Sequence, residues 1–83
     1  MNIRTENWNG HEIRFVEKEP GEWWAVAKDV AEALGYRTAP DMTRCLEKED
    51  IATLSMRSRN WEQELQVVSE SGIYDAILTA AKT

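Results

Sequence analysis

Apolar and polar residues alternate along five short segments of the chain, and this period of two predicts β-strands. The clearest segment is 61–68, in which Leu65 and Val67 alternate with Glu64 and Gln66. Such alternation is typical of an antiparallel sheet that has one face on a core and the other in water. The predicted strands are 3–8, 11–17, 22–26, 51–57 and 61–68.

Turn sequences separate these strands. Asn9-Gly10 favours a two-residue hairpin, because both residues accept positive φ, and the Pro-Gly pair at 20–21 favours a second turn. Trp23 and Trp24 are neighbours in the third strand, so their side chains must lie on opposite faces of the sheet. We therefore expect one of the two tryptophans to lie in the core.

A period near 3.6 predicts a helix over 27–34, where apolar residues recur at i, i+3, i+4 and i+7. Gly35 follows at the position where a left-handed residue commonly ends a helix. A second helix is predicted from about 39 to 48, with Thr38 as its N-cap. The residues expected to form its buried stripe are Met42, Cys45 and Leu46.

A third helix is expected from Ser69 or Ser71 to about residue 81, with one apolar face. The fold class that follows is α+β, with antiparallel β-hairpins packed against three short α-helices. The two helices and glycine turn over 27–48 make a helix-turn-helix-like segment. Eighty-three residues are enough for one domain with one modest core, so we expect a single domain over 1–83.

The cysteine content and the length of the apolar runs indicate the cellular compartment and argue against a membrane-spanning segment. Cys45 is the only cysteine, which excludes an internal disulfide and favours a reducing compartment such as the cytoplasm. The apolar runs are far shorter than the roughly 20 residues that cross a bilayer, so no membrane partner is expected.

The chemistry of the side chains does not predict an enzyme. His11 is the only histidine and has no nucleophile paired with it in the sequence, and Cys45 belongs to an apolar stripe. We therefore predict no catalytic residue, no metal site and no cofactor.

The charged residues support two different functional interpretations. The chain carries a net charge of −5, whereas a protein that binds DNA normally presents a basic surface. Six of the ten basic residues nevertheless lie within residues 28–59, on the predicted helix pair and on the second hairpin. A helix and a basic hairpin tip are the parts that winged-helix modules apply to a duplex. The residues predicted to contact nucleic acid are Lys28, Arg37, Arg44, Arg57 and Arg59.

The acidic residues support an alternative. Carboxylates spaced along a sheet and the helix that follows it could imitate a row of phosphates and occupy a basic groove of another protein. The residues predicted to contact such a partner are Glu62, Glu64, Glu70 and Asp75. The simpler interpretation is that these residues keep the domain in solution, since a net charge of this size is ordinary for a small domain.

Two blocks of sequence together resemble a known family. They are GEWWAVAKDVAEALGY at 21–36 and VSESGIYDAIL at 68–78, and they occur in the order and at the spacing of the BRO amino-terminal domain. That domain occurs in prophage antirepressors and in proteins of large DNA viruses, usually as one module of a longer protein. The resemblance implies DNA binding and interference with phage repressors. Most of the matching positions are turn glycines and core residues, which transfer the fold and do not identify a binding site.

The sequence as a whole predicts a non-enzymatic, phage-type regulatory domain in the cytoplasm of a bacterial host. The favoured function is antirepressor-like action on a transcription regulator, on its DNA, or on both. The alternative is a compact acidic phage inhibitor, a DNA mimic or an anti-CRISPR-like protein, that blocks a basic host nucleic-acid-binding protein. A homodimer is a further possibility, because an edge strand and a second tryptophan are expected at the surface.

Overall fold

Five strands form one antiparallel sheet in the computed structural model, which describes residues 2–81 apart from the side chains of residues 56–58 and 61. The strands are β1 (Ile3–Trp8), β2 (His11–Glu19), β3 (Glu22–Val26), β4 (Ile51–Ser58) and β5 (Trp61–Val68). Their order across the sheet is β1-β2-β3-β5-β4. All five predicted strands are present; β2 and β4 extend slightly further than the alternation indicated.

Three helices complete the fold, as the sequence predicted. They are α1 (Ala27–Leu34), α2 (Ala39–Thr43) and α3 (Glu70–Ala81), and a 3₁₀ turn spans Lys48–Asp50. The Ser69 side chain accepts a hydrogen bond from the Gly72 N–H at 3.1 Å, so it caps the start of α3. The α+β prediction is therefore confirmed.

The main core lies between the sheet and the helices. From the sheet, Ile13, Ala25 and Val68 face this layer, and the helix residues packed on them are fully or nearly fully buried. The alanines among these helix residues allow the helices to pack closely on the sheet. The buried helix residues are Ala27, Val30, Ala31, Met42, Ile73 and Ala76.

A smaller cluster lies on the opposite face of the sheet, around Trp24. Trp24 is only 7% exposed, whereas its neighbour Trp23 is half-buried on the helix side. One of the two tryptophans is thus a core residue, as predicted. The other members of this cluster are Val16, Val26 and Val67, with Ala52, Leu54 and Leu65 packed against them.

The second helix is shorter than predicted. It begins at Ala39, with the Thr38 hydroxyl accepting a hydrogen bond from the Asp41 N–H at 3.2 Å, but it ends at Thr43 and not near 48. Beyond it the backbone bonds join residues three apart, as in the bond from the Leu46 N–H to the Thr43 carbonyl at 3.0 Å. The helix-turn-helix-like segment at 27–48 is therefore present only as two helices with a glycine turn, and docking in the helix-turn-helix manner stays a prediction.

The same early ending overturns the prediction that Cys45 is buried. The 3.6-residue period that placed Cys45 on the stripe with Met42 and Leu46 does not continue beyond Thr43. Met42 is fully buried and Leu46 is half-buried, but Cys45 is exposed.

The β4–β5 hairpin extends beyond the rest of the sheet. β3 and β5 pair only through Ala25 with Val68 and Val26 with Val67, after which the chain of β3 becomes α1. Residues 53–66 therefore pair only with each other, and we call this projecting ribbon the arm. At about 3.3 Å per residue, β5 reaches about 20 Å beyond its last pair with β3.

One hydrogen bond ties the glycine turn to the last helix. The Tyr36 hydroxyl donates to the Ala76 carbonyl at 2.9 Å, and burial, with a smaller effect of Cys45, raises the pKa of the Tyr36 phenol. Replacing Tyr36 by phenylalanine should lower the free energy of unfolding by about 1 kcal/mol, because only this hydroxyl is lost. Urea denaturation followed by circular dichroism measures the change. Tyr74→Phe is the matched control, since Tyr74 is 59% exposed; an equal loss in both variants would contradict the assignment.

Candidate nucleic-acid interface

Lys28 and Arg37 are brought together by the way β3 leads into α1. β3 passes into α1 without a loop, and α1 ends at Gly35, whose φ of 87° is left-handed. This reversal returns the chain along α1, so that both basic residues line one depression of about 330 Å³. The remaining lining residues are Ala31, Glu32, Tyr36, Thr38 and Ala39.

The charge of this depression is positive by a small margin. Glu32 offsets one of its two cations. Asp29, next to Lys28 in the sequence, is turned to Arg14. An anion that approaches this surface is therefore attracted by Lys28 and Arg37 and repelled by one lining carboxylate, that of Glu32. Two cations and one carboxylate give this surface a small excess of positive charge, which favours anions such as phosphate groups.

Asp29 makes a dense set of bonds with β2. Its carboxylate accepts bonds from the Arg14 backbone N–H at 3.0 Å, from Arg14 Nε at 2.8 Å and from Arg14 Nη2 at 3.0 Å. Burial alone would raise the pKa of Asp29, but the bonds and charge of Arg14 outweigh it, so this pKa lies below its ordinary value. The pair anchors the start of α1 on β2 and so fixes the position of Lys28.

Arg44 does not lie in that depression. Its guanidinium forms an ion pair with Asp41 at 2.9 Å, one turn earlier along α2, and the Arg44 side chain is largely exposed. A pair of this kind at the surface stabilises the fold little, but it offsets the charge that Arg44 would present to a phosphate.

Arg59 lies at the turn of the arm and is exposed. The side chain of Arg57, which the sequence also assigned to nucleic acid, lies outside the described part of the structure, although its backbone pairs with that of Glu62. The predicted basic residues are therefore divided between a depression near the base of the arm, the end of α2, and the arm itself.

The predicted acidic set is divided as well. Glu62 and Glu64 lie on β5 within the arm, whereas Glu70 and Asp75 are exposed on α3. From Glu64 to the end of β5 is about 13 Å along the strand, and α3 begins beyond that point. The four carboxylates do not form one continuous row.

The structure has a second depression, which the sequence analysis did not predict. It measures about 210 Å³ and lies on the helix side of the sheet, with the Arg4 guanidinium 5.5 Å from the Trp23 ring. The available signal was the alternation in β1, which puts Arg4 and Glu6 on the face that Phe15 shares. The residues lining this depression are Arg4, Glu6, Phe15, Trp23, Glu70 and Ile73.

Two further findings concern only the residues that the structure describes. No group of three or more histidine, cysteine, aspartate or glutamate side chains among them could hold a metal ion. Within the same part of the chain, every helix is too short or too polar to cross a bilayer. His11 opens β2 and is exposed.

Comparison with known proteins identifies a family. The sequence model described as BRO family, N-terminal domain, matches residues 12–83, which takes in every helix and every strand after β1 apart from the first residue of β2. Neither the curated proteins nor the solved structures provide a match to the chain.

Proposed function

The chain belongs to the BRO family through its N-terminal domain, and we propose that it acts as an antirepressor-like domain on a transcription regulator, on its DNA, or on both. Membership indicates a phage-type DNA-binding regulatory domain, in a family that is not one of enzymes. The finer proposal is that Lys28, Arg37 and the arm contact DNA, within the cytoplasm of a bacterial host. The observation that carries it is the depression shared by Lys28 and Arg37.

The arm suits a DNA groove better than α2 does. A major groove about 12 Å wide accepts an α-helix or a two-stranded β-ribbon. The five residues of α2 rise only about 7.5 Å, which is less than two turns. The arm is a two-stranded ribbon about 20 Å long with Arg59 at its turn. We infer that the arm approaches the duplex while Lys28 and Arg37 contact phosphates.

The net charge of −5 is compatible with such local binding. Asp29 and Asp41 each form an ion pair with an arginine of the same chain, so they oppose an approaching phosphate less than free carboxylates would. Binding through few phosphates should be weak and only modestly dependent on salt, because each neutralised phosphate adds only about one to the salt slope.

The test is binding of labelled duplex DNA, measured by fluorescence anisotropy between about 50 and 200 mM salt. Replacing Lys28 and Arg37 together by glutamine should weaken binding about tenfold or more and lower the salt slope by about two. The matched control is the pair Lys18→Gln and Lys48→Gln, which removes the same charge from residues that do not line the depression. The proposal fails if wild-type protein at micromolar concentration does not bind at the low salt, or if both double variants bind like the wild type.

The acidic alternative receives less support. The four carboxylates assigned to a basic partner are divided between the arm and α3, so they belong to two separate elements and not to one strand. Glu64→Lys separates the two proposals, because Glu64 is exposed on the arm. It should tighten DNA binding if the arm approaches DNA, whereas an acidic inhibitor would bind its basic partner more weakly.

A further inference from the structure

We propose that two copies of this chain associate through β1, which pairs antiparallel with β1 of a second copy to continue the sheet. This proposal does not depend on DNA binding. β1 is an edge strand, and five of its six residues, 3–7, are exposed. Within the described residues, no strand pairs with the outer side of β1, so its outward backbone groups can bond to another strand.

One observed bond shows which residues point outward. The Asn2 carbonyl accepts the Glu17 N–H at 2.9 Å, so Asn2 directs its backbone groups toward β2. Because hydrogen bonding alternates along an antiparallel strand, the even-numbered residues of β1 bond to β2 and the odd-numbered residues point away. The N–H and carbonyl groups that face the open edge therefore belong to Ile3, Thr5 and Asn7.

The outward residues allow a two-fold pairing centred on Thr5. In that register Thr5 faces the partner's Thr5, and Ile3 faces the partner's Asn7. Each of these pairs exchanges two backbone hydrogen bonds. Asn2 and Trp8 close the two ends, so the pairing uses only residues that the structure describes.

The charges of β1 select this register. Arg4 then lies directly opposite the partner's Glu6, and Glu6 opposite the partner's Arg4, in the close non-hydrogen-bonded positions where side chains interact most strongly. The Arg4 guanidinium, which lies over the Trp23 ring in the single chain, turns from that ring to make this pair. A shift of one residue in each chain would put Arg4 against the partner's Arg4, or Glu6 against the partner's Glu6, and like charges directly opposite are unfavourable. The strand is therefore self-complementary in one register only.

The other edge of the sheet lacks this property. β4 carries a single charged residue, Arg57, so pairing β4 with a second β4 brings no opposite charges together. β1 also has no proline, and its pairing with β2 runs without a bulge from Ile3 to Trp8, so two of the features that protect an edge are absent from it. The charge pattern and the open edge both assign the contact to β1.

Charge exchange tests the register. Association is measured by sedimentation equilibrium near 0.15 M salt, where charges more than about 8 Å apart are screened. Arg4→Glu alone and Glu6→Arg alone should each raise the dimer dissociation constant about tenfold or more, because both charge pairs become repulsive. The variant with both changes should recover the dimer, and a mixture of the two single variants should form a heterodimer detectable by native mass spectrometry.

A backbone change tests the pairing independently of charge. Thr5→Pro removes the central outward N–H and leaves the bonds to β2 in place, so it should weaken the dimer while circular dichroism stays unchanged. Thr5→Val keeps that N–H and is the control. The proposal is overturned if wild-type protein stays monomeric at hundreds of micromolar. It is also overturned if Leu78→Glu, on the exposed face of α3, dissociates the dimer while the β1 variants do not.

Discussion

Replacing Trp24 by alanine is expected to lower the free energy of unfolding by about 3–5 kcal/mol. Trp24 is the largest member of the cluster on the face of the sheet opposite the helices, and it is 7% exposed. Its indole N–H donates to Glu22 at 2.7 Å, and the Lys18 ammonium lies 4.6 Å from its ring. A domain of this length has about 4–12 kcal/mol in total, so the variant should lose a large part of its stability.

The adjacent tryptophan provides the control. Trp23 is half-buried and lines an open depression beside Arg4, so Trp23→Ala should cost only about 1–2 kcal/mol. Trp24→Phe keeps an aromatic ring, and its loss of unfolding free energy should lie between those of the two alanine variants. Urea denaturation followed by circular dichroism measures all three; equal losses for Trp23→Ala and Trp24→Ala would contradict the assignment of the second cluster.

Replacing Asp29 by asparagine is expected to cost about 2–3 kcal/mol at neutral pH. The carboxylate bonds both to the Arg14 guanidinium and to an Arg14 backbone N–H, and bonds to a charged group contribute more than neutral ones. The matched control is Asp41→Asn, which breaks the exposed ion pair with Arg44 and should cost less than about 1 kcal/mol. Similar losses in the two variants would contradict a special role for Asp29.

The effect of Asp29 should depend on pH. Its pKa in the folded protein lies below the ordinary value of about 3.9, so the folded state binds this proton less readily than the unfolded chain does. The stabilisation is therefore complete above that ordinary value and disappears as the pH falls through the lower, folded-state pKa. The difference in unfolding free energy between the wild type and Asp29→Asn should accordingly be constant near neutral pH and shrink below about pH 4. Urea titrations at several pH values measure it.

Local structure was predictable where a residue's own chemistry decides the backbone. Asn9 and Gly10 have φ values of 51° and 90°, which is the positive-φ pair that the sequence indicated. Gly35 ends α1 for the same reason, and Thr38 caps α2. In each case a short-range bond or a conformational preference acts without help from distant parts of the chain.

Long-range pairing was not predictable from the same patterns. The alternation in 51–57 and 61–68 predicts a hairpin, but it does not say that only Val67 and Val68 join the rest of the sheet. The projection of the arm therefore could not be foreseen. The end of α2 at Thr43 is a similar case, because the apolar spacing continues to Leu46 although the helix does not.

The candidate site shows the same limit. Lys28 and Arg37 share no helical or strand period, and only the reversal at Gly35 brings them to one depression. Arg44 comes later in the chain than the same turn, but its side chain forms an ion pair with Asp41 and does not line the depression. Composition could identify the basic residues of the middle third, whereas their grouping depends on tertiary structure.

The narrow junction between β3 and β5 affects the order in which parts of the chain fold. Residues 3–34 form a meander and helix from neighbouring segments, and residues 51–81 form a hairpin and helix in the same way. Val26 and Val67 are paired although they lie about forty positions apart in the sequence. Their contact therefore closes a long loop, and the chain loses conformational entropy before the stabilising contacts form. We therefore expect the two halves to form locally before they dock on each other.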